Sequence, residues 1–299
     1  MSTIENFLEY ISLEKNYSSN TLIAYKNDLN SFSNFCLDDF NIKNIETVKY
    51  SEIRLWIVYL INQGKSNRSV NRKLSALRSF YKFLEKTSNI KTSPLASHRP
   101  LKIEKKIQMP FSEDEVFKVL NADFFSNNFK GLLERTLIYT LYFTGARRNE
   151  IIQMKYNSVD VNEQILKVLG KRNKERLIPI HDKLKTQLEI YLNERQKINN
   201  SNSETFFCFE NGNKLTPEFV YQTVNFYFNK VSSKDKKSPH MLRHSFATHM
   251  LNQGADLNAV KGLLGHSSVA ATESYTHTSM KKIKSIYSKS HPRGSNKSG

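Results

Sequence analysis

The sequence predicts a mainly α-helical protein with one small β-hairpin, divided into two domains. Three observations carry that expectation. Apolar residues recur at spacings of three and four over most of the 299 residues, residues 164–180 alternate with period two about a polar turn, and residues 91–110 break the periodicity with Pro94, Pro100 and Pro110. A chain of this length suits about two domains of roughly 100–200 residues.

Residues 1–90 read as helix. Ser18 and Ser19 can cap a segment that carries Leu22, Tyr25, Leu29 and Phe32 on one face. A second strong helix, about Ser69 to Lys86, has Val70, Leu74, Leu77, Tyr81 and Leu84 as its apolar stripe. Its other side presents Arg68, Arg72, Ser75, Ser79, Lys82 and Lys86, offset by Glu85 alone. A basic face is ordinarily just solvated surface. Here the shortage of acids at i,i+4 favours a face that meets phosphates.

Residues 93–110 read as a basic linker in which Lys102, Lys105 and Lys106 can follow a DNA backbone. The expected organisation is a helical domain over 1–92, this linker, a mixed domain over 111–290 and a flexible tail over 291–299. In the mixed domain, Ser112 caps a helix whose first turn is acidic, and Leu132–Phe143 forms an apolar helix stopping at Gly145. Arg147 and Arg148 precede a short helix with Ile151 and Met154. The hairpin follows, with Lys171 opening its turn, then a helix over about 182–198, a polar loop at 199–204, an Asn-Gly turn at 211–212 and helices from Pro217 onward. There is no repeat of solenoid length.

The net charge of +17 attracts polyanions, either nucleic acid or an anionic membrane. Basic residues exceed acidic ones on both sides of residue 100, 14 to 9 before it and 31 to 19 after it, as expected if both domains touch one polyanion. The longest nearly apolar run, Leu137–Phe143, is too short to span a bilayer, and MSTIENFLEYI lacks the basic start of a signal peptide. Cys36 and Cys208, without CxxC spacing, read as buried small hydrophobes in a reducing compartment. The expectation is a cytoplasmic, nucleoid-associated protein without a membrane partner.

Chemistry concentrates between Ser238 and His277, where His240, Arg243, His244, His266 and Tyr275 occur. Arg grips phosphate oxygens through its fork, His moves protons near neutral pH, and a phenol oxygen can attack phosphorus. The sequence offers no carboxylate cluster for Mg²⁺, so the nucleophile is expected from the protein and no cofactor is expected. Taken singly, each residue is more often structural. A rival reading places Zn²⁺ on His240 and His244, four apart, with His249 near; but HExxH is absent and no Cys or Asp cluster supplies further ligands.

Jointly, GARRNE, the GK-containing hairpin, HMLRH, LGH and a Tyr nine residues beyond that His occur in order. This pattern resembles the tyrosine recombinase (phage integrase) family, nearest its Xer-type members, over essentially the whole chain. The resemblance implies a SAM-like N-terminal helical bundle that binds the core site and a mixed α/β catalytic domain. It makes Arg147, Lys171, His240, Arg243 and His266 catalytic and Tyr275 the nucleophile. Glu150 becomes a residue that orients those groups, while His244 reads from its place on the helix as a packing residue or a second orienting one. Arg148 stands where many relatives have a small or apolar residue. Arg172 stands where Gly is frequent, so Lys174 stays open as an alternative to Lys171. Both arginines join Arg68, Arg72, Lys82, Lys86 and the linker lysines as expected DNA contacts.

The resemblance further implies paired inverted half-sites on double-stranded DNA and a tetramer with itself or a related recombinase. Ile283, Ile286 and Tyr287, in a Lys-rich helix over 279–289, would dock on the neighbour. Resolution of chromosome or plasmid dimers is the expected use, mobile-element integration the alternative. A catalytically idle DNA-binding protein and a type IB topoisomerase stay open, and so does activation by a DNA translocase.

Overall fold

A computed structural model describes residues 2–104, 108–170, 175–198 and 204–265. The chain forms two compact units, Met1–Lys106 and Ile107–Gly299, each with its own core.

In the first unit, α1 (Thr3–Leu13) starts with a capping box between Ser2 and Glu5. Helix α2 (Ser19–Phe40) is capped by Ser18 and ends at Asn41, whose φ of 54° is left-handed. A single 3₁₀ turn, Ile45–Thr47, leads to α3 (Tyr50–Asn62) and α4 (Asn67–Lys86). Helix α4 begins earlier than the expected Ser69 because Ser66 accepts the Ser69 N–H and serves as its cap. Its expected stripe is buried. Phe7 meets Phe80 edge-on at 5.5 Å, and Phe32 lies 4.9 Å from Trp56. The Tyr81 hydroxyl donates to the Ile45 carbonyl at 2.8 Å.

The stretch expected as linker is partly bound to this unit. Asn71 accepts the Leu101 N–H at 2.9 Å and donates to the Leu101 carbonyl at 2.8 Å, and Leu95 is buried in the core. Short polar side chains on α4 can reach an adjacent backbone, which composition alone does not reveal.

The second unit runs α5 (Glu113–Asn121), α6 (Phe129–Thr144), α7 (Arg148–Ile152), β1 (Val159–Asp160), β2 (Ile165–Leu169), β3 (Glu175–Pro179), α8 (Asp182–Gln196), α9 (Pro217–Asn229), α10 (Pro239–Asn252) and α11 (Leu257–Leu264). The strands make an antiparallel sheet in the order β1-β2-β3, with Leu166 opposite Ile178 and Val168 opposite Arg176. The mainly α class with a small sheet therefore holds.

Helix α6 is central and nearly all buried. Its Thr136, Thr140 and Thr144 hydroxyls donate to carbonyls one turn back, so none of these three buried hydroxyls is stranded. The helix stops at Gly145, φ +58°, where a Cβ would come within 2.4 Å of Phe246. That close approach brings the ends of α6 and α11 against the middle of α10.

Candidate active site

Three arginines from three elements meet beside those helix ends. Arg147 is the N-cap of α7: its N–H donates to Glu150 Oε2 at 2.7 Å and its Nη1 to Oε1 at 2.8 Å. Its side chain remains 41% exposed. Arg243, on α10, is buried; its Nη1 donates to the Gly145 carbonyl at 2.6 Å and its Nη2 to the Leu264 carbonyl at 2.5 Å. Those carbonyls lie at the C-termini of α6 and α11, where helices leave acceptors unpaired and carry negative potential. Burial, reinforced by Arg147 and then Arg176, pushes the Arg243 guanidinium down to about 10, with Glu150 opposing. It stays charged near neutrality.

Arg176 is the group the sequence reading missed. It sits on β3, donates Nη1 and Nη2 to the two Glu150 oxygens at 2.8 Å each, and donates Nε to the Leu263 carbonyl at 2.8 Å. A signal existed: Arg176 shares a strand face with Ile178, where alternation calls for an apolar residue. Burial would raise the Glu150 carboxyl, but the hydrogen bond and charge of Arg176, then Arg147, hold it below the ordinary carboxylate range. Three guanidiniums against one carboxylate leave net charge +2, a site suited to a phosphate.

Arg147, Arg148, His240 and Arg243 line a single cavity of about 390 Å³, joined by Asn149, Tyr221, Ser238 and Pro239. Arg148 is anchored through Nη1 to the Pro217 carbonyl at 3.2 Å. His240 is exposed on the first turn of α10, next to the Pro239 that opens the helix. A larger cavity of about 650 Å³, lined by Asn128, Arg135 and Glu194, contains none of the expected residues.

His244 lies one turn beyond His240 on the same exposed face, so the packing histidine of this helix is His249. The two ring nitrogens of His249 face the Tyr142 hydroxyl at 3.1 Å and the Phe111 carbonyl at 2.8 Å. That placement removes it from the Zn²⁺ set considered above. Among the described residues no group of three His, Cys, Asp or Glu is arranged to hold a metal ion.

On the first unit, Arg72 forks onto buried Asp28 of α2, with Lys73 on the same carboxylate at 3.0 Å. The basic face of α4 is thus partly balanced by an acid from another helix, although the Arg72 side chain keeps 52% exposure. Lys86 lies over the Tyr10 ring, 4.8 Å from its centre, and reaches Glu14 at 3.5 Å. Arg68, Lys82 and Lys102 are exposed. Lys105, Lys106, Lys171, Arg172, Lys174, His266, Tyr275 and the 279–289 segment lie outside the described residues. Among the described residues no helix is long and apolar enough to cross a membrane.

Residues 110–282 match the model of the phage integrase family, and residues 4–87 match the phage integrase N-terminal SAM-like domain. The tyrosine recombinase XerC of Anoxybacillus flavithermus is 35% identical over 295 residues, covering 97% of this chain and 98% of that protein. A tyrosine recombinase XerD of Staphylococcus epidermidis is 35% identical over 293 residues, with the same two coverages of 97% and 98%. Among solved structures, the XerH site-specific recombinase bound to a palindromic difH substrate, a post-cleavage complex, aligns with a TM-score of 0.69 at 22% identity, covering 96% of this chain and 94% of that one.

Proposed function

This chain belongs to the phage integrase family of tyrosine recombinases, and from that membership we propose that it exchanges DNA strands at a specific site through a 3′-phosphotyrosyl intermediate. The observation that carries the proposal is the convergence of Arg147, Arg243 and His240 on one cavity.

In this mechanism the Tyr275 oxygen attacks a backbone phosphorus. The new bond joins that oxygen to phosphorus, and the bond to the 5′ oxygen breaks. The phenol proton passes to His240 or His266, and Lys171 protonates the departing 5′ oxygen. Charge building on the nonbridging oxygens meets the guanidiniums of Arg147 and Arg243, already fixed by hydrogen bonds, so little reorganisation accompanies the reaction. The covalent product keeps the energy of the broken ester. A 5′ hydroxyl from a second duplex can therefore reverse the step without ATP.

The substrate in this reading is a pair of inverted half-sites, held by a tetramer that the 279–289 helix links, with Arg68, Arg72, Lys82, Lys86, Lys102, Lys105, Lys106, Arg148 and Arg172 along the phosphate backbone. Near-full-length similarity to XerC and XerD proteins supports dimer resolution as the biological use. The test is a nicked suicide duplex carrying the half-sites. The wild-type chain forms an adduct that survives denaturation, and Tyr275→Phe binds the duplex but forms none. An adduct with Tyr275→Phe, or no adduct from the wild type on its own site, overturns the proposal.

A further inference from the structure

The mechanism above leaves the buried charge of Arg176, beside the cavity, without a task. Arg176 is 6% exposed and faces a carboxylate that already has a partner, Arg147. Glu150 accepts four hydrogen bonds, two from Arg147 and two from Arg176. Were Arg147 its only cation, the pair would be neutral, and an incoming phosphate would compete with Glu150 for the same fork. With Arg176 present, the carboxylate is balanced from behind.

Arg176 is also tied to the turn that ends α11. Its Nε holds the Leu263 carbonyl, Arg243 Nη2 holds that of Leu264, and Arg147 Nη2 holds that of Gly265 at 3.3 Å. Three consecutive carbonyls are therefore each gripped by a different arginine. Gly265 is left-handed, φ +64°, and a Cβ there would come within 3.1 Å of the Arg176 guanidinium. The same guanidinium thus holds both the carboxylate that pairs with Arg147 and the backbone at the end of α11.

We propose that Arg176 is a positioning residue for strand cleavage, balancing Glu150 so that Arg147 keeps its positive charge for the phosphate. The reaction it serves rests on the recombinase reading above; the electrostatic arrangement does not. A purely structural ion pair predicts something else. Its loss lowers stability but leaves the folded molecules equally active.

Cleavage is measured on the suicide duplex at saturating protein, well below each variant's unfolding temperature. Arg147 reactivity toward phenylglyoxal, whose carbonyl carbons the guanidine nitrogens attack, is read in parallel by mass spectrometry. Arg176→Met is expected to cleave about 100-fold more slowly, the effect of a displaced catalytic group. Its Arg147 is expected to label more slowly, because Glu150 then pairs with it alone. Adding Glu150→Gln removes the unbalanced charge and should restore about tenfold in cleavage while speeding the labelling. Arg176→Lys, which keeps charge without the fork, should fall between wild type and Arg176→Met, and it carries the test if Arg176→Met does not fold. Unchanged cleavage and labelling in folded Arg176→Met overturn the proposal, as does a double variant no better than the single one. If the wild type forms no adduct while the labelling follows the expected order, the recombinase reading fails, and with it the role in cleavage, while the balancing of Glu150 by Arg176 stands.

Discussion

At His249 the ring Nε2 lies 2.8 Å from the Phe111 carbonyl, which can only accept, so Nε2 carries the proton and Nδ1 accepts from the Tyr142 hydroxyl. One turn earlier, Ser245 accepts the Phe111 N–H at 2.9 Å. Two side chains of α10 thus satisfy both backbone groups of the residue that leads into α5. Burial lowers the His249 pKa, with Glu113 and the Phe111 hydrogen bond opposing. The unfolded chain, titrating near its ordinary 6.5, therefore takes up this proton before the folded one does. The His249 contribution to stability is complete above that pH and declines as pH falls below it, until the folded pKa is passed. The decline should reach at most about 1.4 kcal/mol per pH unit, and it should vanish in His249→Gln, read as urea midpoints between pH 5 and 8. An identical pH slope in the variant would show that His249 does not carry the effect.

Among the elements, the end of α6 is the most constrained. Gly145 caps the helix, approaches Phe246 and Leu264, and offers its carbonyl to Arg243. Gly145→Ala combines a left-handed backbone with an overfilled contact, and should cost about 2–4 kcal/mol in chemical denaturation. Because Arg243 reads the same residue's carbonyl, strand cleavage by the folded variant should also slow. A loss below 1 kcal/mol with unchanged cleavage would mean that the α6 end repacks freely. The helix stop at Gly145 and the hairpin were both legible from local pattern. Arg176 showed only as a charge at an apolar position of its strand, and its partner was not legible, because that carboxylate lies 26 residues away in sequence.

For the whole molecule, two units with separate cores both carry excess positive charge. A chain lacking residues 279–299 should keep its affinity for a single half-site, with the same steep salt dependence, because the charges on α4 and around Arg147 remain. Pairing of two sites should be lost, as read by sedimentation of protein with a two-site duplex. Full recombination by the truncated chain would remove residues 279–299 from assembly.

By itself the sequence determined the helical class, the hairpin, the order of the motifs and the family, since these depend on periodicity, turn residues and spacing along the chain. Tertiary structure decided which charges are free. It set Asp28 against Arg72 and Lys73, took His249 into the core, and joined Glu150 to both Arg147 and Arg176. Whether a cation faces solvent or a carboxylate depends on residues that folding alone makes neighbours, and the energy of that pairing grows as water is excluded.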